Sequence, residues 1–206
     1  MKKKVICVGD SITYGHGVAE NRGTDSYPAI LQRLLSDEYE VQNFGVCGCT
    51  LLKNGDMPYV EEECYRKSLD ANGDIYIIML GTNDSKPYNW NKEDYRKELK
   101  QFIERYMLLS TYPNIYVMLP PMAFPIGEEN EVLFDVNPQI ISGDVHRIVG
   151  EIAEELQAKA IDLYKLTNNH PEWFMDGVHP NVNGNKAIAT CLYKSIGGNL
   201  SCVTNL

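Results

Sequence analysis

Polar and apolar positions along the chain follow two periods, which predict short strands separated by longer helices. The predicted strands are five short apolar runs, at residues 4–8, 39–44, 74–80, 114–119 and 159–163. After its first residue the run at 74–80 is entirely apolar, which is typical of a parallel strand covered by helices on both faces.

Apolar residues three and four positions apart predict the helices. The apolar faces are Tyr95, Leu99, Phe102, Tyr106 and Leu109, then Ile141, Val145, Ile148, Ile152 and Leu156, and finally Ile188, Leu192 and Ile196. An earlier helix is expected to run from Ser26 or Asp25 to Leu35, with Pro28 in its first turn. Alternating strands and helices favour a parallel sheet between two helical layers. Since no repeat or linker divides residues 1–206, a single domain is expected.

The net charge of the chain makes polyanionic partners unfavourable. With 28 acidic and 19 basic residues the formal net charge is −9, which disfavours nucleic acid and anionic membrane surfaces. No apolar run approaches the roughly 20 residues of a membrane helix, so no membrane insertion is expected. Residues 1–4 are basic, but the apolar run after them is too short for a signal peptide. The chain as written is therefore expected to be cytoplasmic.

The six cysteines show no C-x-x-C pair, so no zinc site is expected. Cys47 and Cys49 are too close in sequence for an easy disulfide. We interpret the cysteines as reduced thiols and assign no role to Cys47 or Cys49.

Residues suited to chemistry occur in four short segments, at 9–12, 43–45, 81–84 and 176–180. The first three segments follow the first three predicted strands. Because parallel strands end at the same edge of a sheet, residues distant in sequence are expected to meet there.

An acyl-transfer site needs a nucleophile, a base, a group that orients the base, and donors for an oxyanion. Ser11 is the candidate nucleophile and His179 the candidate base. Asp176 can orient the His179 ring, and a backbone carbonyl is the alternative. The candidate oxyanion donors are the backbone N–H groups of Ser11 and Gly45 and the side chain of Asn83.

These segments resemble the SGNH hydrolase family, also called GDSL esterases and lipases. The four blocks occur in order: Gly9-Asp10-Ser11-Ile12, Gly45, Gly81-Thr82-Asn83-Asp84 and Asp176 to His179. The resemblance implies a three-layer α/β/α sandwich with about five parallel strands in the flavodoxin-like order. It implies no metal and no organic cofactor. Cys47 departs from the family, which more often has a small hydroxyl residue or alanine there.

Residues 81–90 are similar to carbohydrate O-acetylesterases of the family, including sialate-type and xylan-type members. The function expected from the resemblance is a serine esterase that removes short acyl groups, above all O-acetyl groups, from a small-molecule or saccharide ester. A lysophospholipase or thioesterase is one alternative. A non-catalytic α/β ligand-binding module is another, from a different class.

Other polar residues are interpreted more simply. Asp10 and Asp84 are expected to brace loops, and His16 is a candidate substrate contact. His146 and His170 are interpreted as half-buried or surface residues. Residues 122–136 are expected at the carboxyl edge of the sheet, as a wall, a lid or a surface insertion.

Overall fold

The computed structural model describes residues 2–197, and its centre is one sheet of five parallel strands. The strands are β1 (Lys3–Gly9), β2 (Tyr39–Gly45), β3 (Ile75–Met79), β4 (Asn114–Leu119) and β5 (Lys159–Asp162). Their order across the sheet is β2-β1-β3-β4-β5, which is the flavodoxin-like order. The predicted fold class is confirmed, and every strand lies within about one residue of its predicted bounds.

Helices connect and cover the strands. They are α1 (Ser11–Tyr14), α2 (Arg22–Asp25), α3 (Tyr27–Leu35), α4 (Glu63–Asp70), α5 (Lys92–Met107), α6 (Pro138–Ile140), α7 (His146–Glu155), α8 (Leu163–Thr167) and α9 (Val182–Ser195). The four-residue helix α1 begins immediately after β1. Ser11 therefore lies at the junction of β1 and a helix.

Successive strand residues point to opposite faces of the sheet, and each face has its own core. Ile6, Val8 and Ile78 share one core with buried residues of α5 and α7. Val5, Cys7 and Ile77 share the other with buried residues of α3 and α9. The two cores define the helix, sheet and helix layers.

The register of the sheet brings the ends of three strands together. Gly9, at the end of β1, is paired with Gly45 of β2 on one side and with Met79 of β3 on the other. The strand order changes direction between β1 and β3, and ligands bind at such a point in open α/β sheets. The segments after β1, β2 and β3 therefore surround one position at the carboxyl edge.

The helix expected around Ile141 to Leu156 has an irregular start. Asn137 caps α6 through its Oδ1 atom, which accepts the N–H groups of Gln139 and Ile140. A π-helical turn at Ile141–Val145 then joins α6 to α7. Because the apolar residues remain buried through this turn, their spacing alone could not reveal it.

Residues 46–62 form a second long irregular segment, which the apolar pattern did not single out. Its position is fixed by Asp84, whose two carboxylate oxygens accept the backbone N–H groups of Leu51 at 3.0 Å and Leu52 at 2.8 Å. The Thr50 N–H donates to the Met57 carbonyl and closes a turn within the segment. Asp84 is thus a loop brace, as predicted.

The five cysteines among the described residues are free thiols, and Cys202 lies outside those residues. Between residues 2 and 197, no helix combines the length and apolarity needed to cross a bilayer. The same part of the chain holds no cluster of three or more His, Cys, Asp or Glu side chains suited to a metal ion.

Candidate active site

Ser11 is held at the first turn of α1 by the close approach of β1 and that helix. A Cβ atom on Gly9 would lie 2.3 Å from Thr13 Oγ1 and 2.5 Å from the Met79 carbonyl oxygen, so only glycine fits there. Asp10 caps α1, since its Oδ1 accepts the Ile12 N–H at 2.9 Å. Ser11 is 7% exposed, so its hydroxyl lies in a nearly closed site.

His179 joins Ser11 to Asp176. The Nε2 atom of His179 lies 2.9 Å from Ser11 Oγ, and its Nδ1 atom lies 2.7 Å from Asp176 Oδ2. Asp176 Oδ1 accepts the backbone N–H groups of Val178 and His179, at 3.0 and 2.7 Å. The tight turn needs Gly177, which has φ +79°. The structure thus unites the three residues predicted as nucleophile, base and orienting acid.

The protonation of Asp176 decides the tautomer of His179. Burial by itself would raise the Asp176 pKa, but the hydrogen bonds from the His179 ring and backbone and from Val178 outweigh it and lower the pKa to about 2. The ionised carboxylate can only accept, so Nδ1 of His179 carries the proton that it donates. Nε2 is then free to accept the Ser11 hydroxyl proton.

Asn83 lies at the turn after β3, at the same carboxyl edge of the sheet as Ser11. Its Nδ2 donates to the Cys49 carbonyl at 3.1 Å, which fixes the amide and leaves its second N–H available. The side chain is 7% exposed, close to the value for Ser11. The N–H of Ser11 itself opens the first turn of α1, where backbone N–H groups lack helical partners.

Gly45 does not serve as the predicted oxyanion donor. Its only N–H donates to Asn43 Oδ1 at 2.9 Å, so that proton is already used. A Cβ atom on Gly45 would lie 2.2 Å from the Tyr14 nitrogen, which explains the glycine by close packing. The structure therefore contradicts this part of the prediction, although Gly45 lies at the expected edge of the sheet.

Gly48 follows Gly45 by three positions in the segment after β2. It lies between Cys49, which is bonded to Asn83, and Cys47, whose sulfur lies 3.9 Å from His16 Nδ1. Its φ is +84°, and among residues 2–197 its N–H has no hydrogen-bond acceptor. Gly48 was not among the predicted donors, although the same loop carries it.

His16 and Phe134 enclose the His179 ring. The ring centroids of His16 and His179 are 4.4 Å apart, and Phe134 meets the His179 ring edge-on at 5.0 Å. Phe134 belongs to the 122–136 segment, which therefore forms a wall of the site. Its action as a moving lid stays a prediction.

Comparisons with known proteins identify the family of the chain. A sequence model described as the GDSL-like Lipase/Acylhydrolase family matches residues 7–187, most of the chain. The chain belongs to that family. Lipases and acylhydrolases give that family its description.

Three individual proteins illustrate the relationship. An acetylxylan esterase of Xylanibacter ruminicola is 33% identical over 94% of this chain, which spans 43% of that relative. An N-acylneuraminate cytidylyltransferase of Escherichia coli is 28% identical over 72% of this chain, and the match spans 33% of that relative. The chain thus spans less than half the length of both curated relatives. A solved carbohydrate acetylesterase from Sinorhizobium meliloti shares the fold, with a TM-score of 0.78, 18% identity, and coverage of 95% of this chain and 98% of that one.

Cys47 is a poor candidate for the nucleophile of this GDSL-family site. Burial, and secondarily the nearby Asp10 carboxylate, raise the pKa of the Cys47 thiol. A thiol needs a lowered pKa to be reactive at neutral pH. Ser11 therefore remains the nucleophile candidate, although Cys47 differs from the family pattern.

The other histidines lie elsewhere. Nε2 of His146 lies 3.1 Å from Asp162 Oδ2 at the end of β5. The His170 ring stacks on Trp173 with centroids 3.7 Å apart. Both histidine side chains are partly exposed, which agrees with their interpretation as half-buried or surface residues.

Two buried carboxyl groups beside the site make the folded state sensitive to pH. Burial raises the pKa of Asp10 to about 6 and that of Asp84 to about 7, although backbone N–H groups act in the opposite direction on both. Both folded-state pKa values exceed the value near 4 of an unfolded chain. The folded state therefore binds more protons in this window, and its stability falls as the pH rises through about 6 to 7.

We expect the free energy of unfolding, measured in urea, to be on the order of 2 kcal/mol lower at about pH 8 than at about pH 5.5. Asp84→Asn should flatten this slope while lowering stability overall, since an amide offers one acceptor oxygen where Leu51 and Leu52 need two. Equal stability at the two pH values would contradict the assignment of these pKa values.

Proposed function

We propose that this chain is a serine esterase that removes short acyl groups, in particular acetyl groups, from carbohydrate hydroxyls through an acyl-enzyme on Ser11. The observation that carries the proposal is the continuous chain from Ser11 Oγ through His179 to Asp176, with contacts of 2.9 and 2.7 Å. Contacts of this length are those of a nucleophile with its base and of a base with its orienting acid.

In the acylation step Ser11 Oγ attacks the ester carbonyl carbon while His179 Nε2 removes the hydroxyl proton. Asp176 stabilises the imidazolium that forms and stays ionised. His179 then gives the proton to the leaving alcohol oxygen as the carbon–oxygen bond of the ester breaks. The acyl group remains on Ser11 and the alcohol departs.

In the deacylation step His179 acts as a base again, now on a water molecule. The hydroxide equivalent adds to the acyl carbon, and the Ser11 Oγ–carbon bond breaks as His179 returns the proton to Oγ. The products are a carboxylic acid and the free serine. No cofactor enters either step.

The oxyanion of each tetrahedral intermediate needs donors that are already in place. We assign this role to the Ser11 N–H, the free N–H of the Asn83 amide and the Gly48 N–H. Support for Gly48 is its position between the residue bonded to Asn83 and the residue beside His16. The Gly48 assignment replaces the one predicted for Gly45.

The substrate class rests on relatives. The acetylxylan esterase that is 33% identical over nearly the whole chain favours an O-acetylated sugar. The assembled contacts among Ser11, His179 and Asp176 count against a non-catalytic binding module. Among residues 2–197 no contact favours a lysophospholipase or thioesterase.

A series of p-nitrophenyl esters from acetate to palmitate tests the acyl length. We expect kcat/KM to be highest for acetate or propionate and to fall by about tenfold or more by octanoate, as for a site closed around a short acyl group. A maximum at long chains would move the assignment to a lipid or thioester hydrolase.

A further inference from the structure

Tyr88 is a large aromatic side chain that the fold leaves in solvent beside the candidate active site. It is 61% exposed although it follows the turn that carries Asn83 by only five positions. The ammonium group of Lys86 lies 5.8 Å from the centroid of its ring, an arrangement that orients the ring. An exposed, oriented aromatic ring next to a reaction centre offers an apolar face to a substrate.

The first of two grooves that meet at Tyr88 has a volume of about 430 Å³. Its opposite wall is the segment from Asp135 to Gln139, which directly follows Phe134. Phe134 contacts the His179 ring, and the Asn137 N–H donates to Ser85 Oγ beside Asn83. This groove is therefore built by the two segments that flank the candidate site.

The second groove lies on the other side of Tyr88 and has a volume of about 270 Å³. Its lining combines the Trp90 ring with the amide side chains of Asn54 and Asn91, both exposed. An aromatic ring among amide groups offers an apolar face together with hydrogen-bond donors and acceptors. Sugar rings present the same combination of an apolar C–H face and hydroxyl groups.

The charged side chains that line the two grooves are all carboxylates. Asp135 lines the first groove, and Asp94 and Glu98 line the second. The cation beneath Tyr88, Lys86, is 9% exposed and pairs with Asp56 at 3.2 Å. A sugar acid would meet repulsion here, whereas a neutral sugar would not.

We propose that an acylated neutral oligosaccharide lies across Tyr88, with sugar units in both grooves and the ester-bearing unit next to Phe134 and His179. The proposal rests on the proposed function and deepens it, because it assigns the alcohol side of the ester to a site for several sugar units. Tyr88 stacks on one unit, and the amides of Asn54 and Gln139 face neighbouring hydroxyls. The grooves thus select chain length and charge in the substrate.

The test measures acetate release from acetylated xylotetraose, from acetylated xylose and from p-nitrophenyl acetate. We expect the wild-type kcat/KM to be about tenfold higher for the tetraose than for the monosaccharide, which occupies one groove at most. Tyr88→Ala should remove about tenfold from the tetraose value relative to the p-nitrophenyl acetate value, whereas Tyr88→Trp keeps the advantage. Tyr112→Ala is the matched control, since Tyr112 is 87% exposed in the loop before β4, at the opposite edge of the sheet.

The possible results distinguish the oligosaccharide site from the esterase activity itself. A tetraose advantage that survives Tyr88→Ala, or O-acetylated sialic acid as a better substrate than acetylated xylose, would overturn the oligosaccharide site and leave the esterase in place. Absence of acetate release from every sugar, with p-nitrophenyl acetate still cleaved, would overturn the carbohydrate substrate itself. A shift of KM by Tyr88→Ala with kcat nearly kept would identify binding of the alcohol as the step affected.

Discussion

Ser11→Ala is expected to lower the kcat for p-nitrophenyl acetate by about 10⁴-fold or more, the range seen when a nucleophile of this kind is removed. The physical reason is that His179 then has no hydroxyl to activate, and only the oxyanion donors and substrate binding remain. The serine hydroxyl bonds to His179 alone among the described side chains, so its loss should leave the fold intact. Steady-state kinetics with a folding check by circular dichroism measure both effects.

Cys47→Ala is the matched comparison for this variant. Cys47 is a nucleophilic side chain whose sulfur lies near the His16 ring, which packs on the His179 ring, and the raised pKa of its thiol predicts that it takes no covalent part. We expect Cys47→Ala to lose far less activity than Ser11→Ala. The reverse order of losses would assign the nucleophile to the thiol.

Asp176→Asn is the second substitution with a large expected effect, a fall in kcat of about 10³ to 10⁴-fold. An asparagine oxygen can still accept the N–H groups of Val178 and His179, so the turn is kept. The amide can no longer hold the Nδ1 proton of His179 or stabilise an imidazolium. The variant therefore separates orientation of the ring from the shape of the loop.

Asp162→Asn provides the control, because Asp162 also bonds to a histidine, His146, but ends β5, which two strands separate from β1. It should keep near-normal kcat/KM, and kinetics of the two variants over a range of pH compare them directly. Near-normal activity of Asp176→Asn would show that a backbone carbonyl orients His179 instead.

Much of the fold follows from the spacing of apolar residues. The run at 74–80 predicted a doubly covered strand, and β3 is buried along its whole length. The spacing of apolar residues does not reveal the π-helical turn, because Ile141 and Val145 are buried in it as they would be in an α-helix. The 46–62 segment has no period of its own, because its shape is set by Asp84, a residue from another part of the chain.

The candidate site was predictable where a side chain carries the chemistry. A side chain's type indicates what chemistry it can perform. The structure brings four such side chains to one edge of the sheet: Ser11, His179, Asp176 and Asn83. Backbone donors have no such signature, and two glycines three positions apart could not be distinguished by type. Only the hydrogen bond from Gly45 to Asn43 shows which of the two glycines retains a free N–H. The exposure of Tyr88 likewise depends on how separate loops pack.

Covalent labelling with a fluorophosphonate tests the central claim, that His179 activates Ser11 as the nucleophile. The reagent forms an oxygen–phosphorus bond with an activated serine and releases fluoride, and the modified peptide can be found by mass spectrometry after proteolysis. We expect one phosphonyl group per chain on Ser11, no label on Ser11→Ala, and slow labelling of His179→Ala. Label on another residue, or undiminished labelling of Ser11→Ala, would contradict that claim.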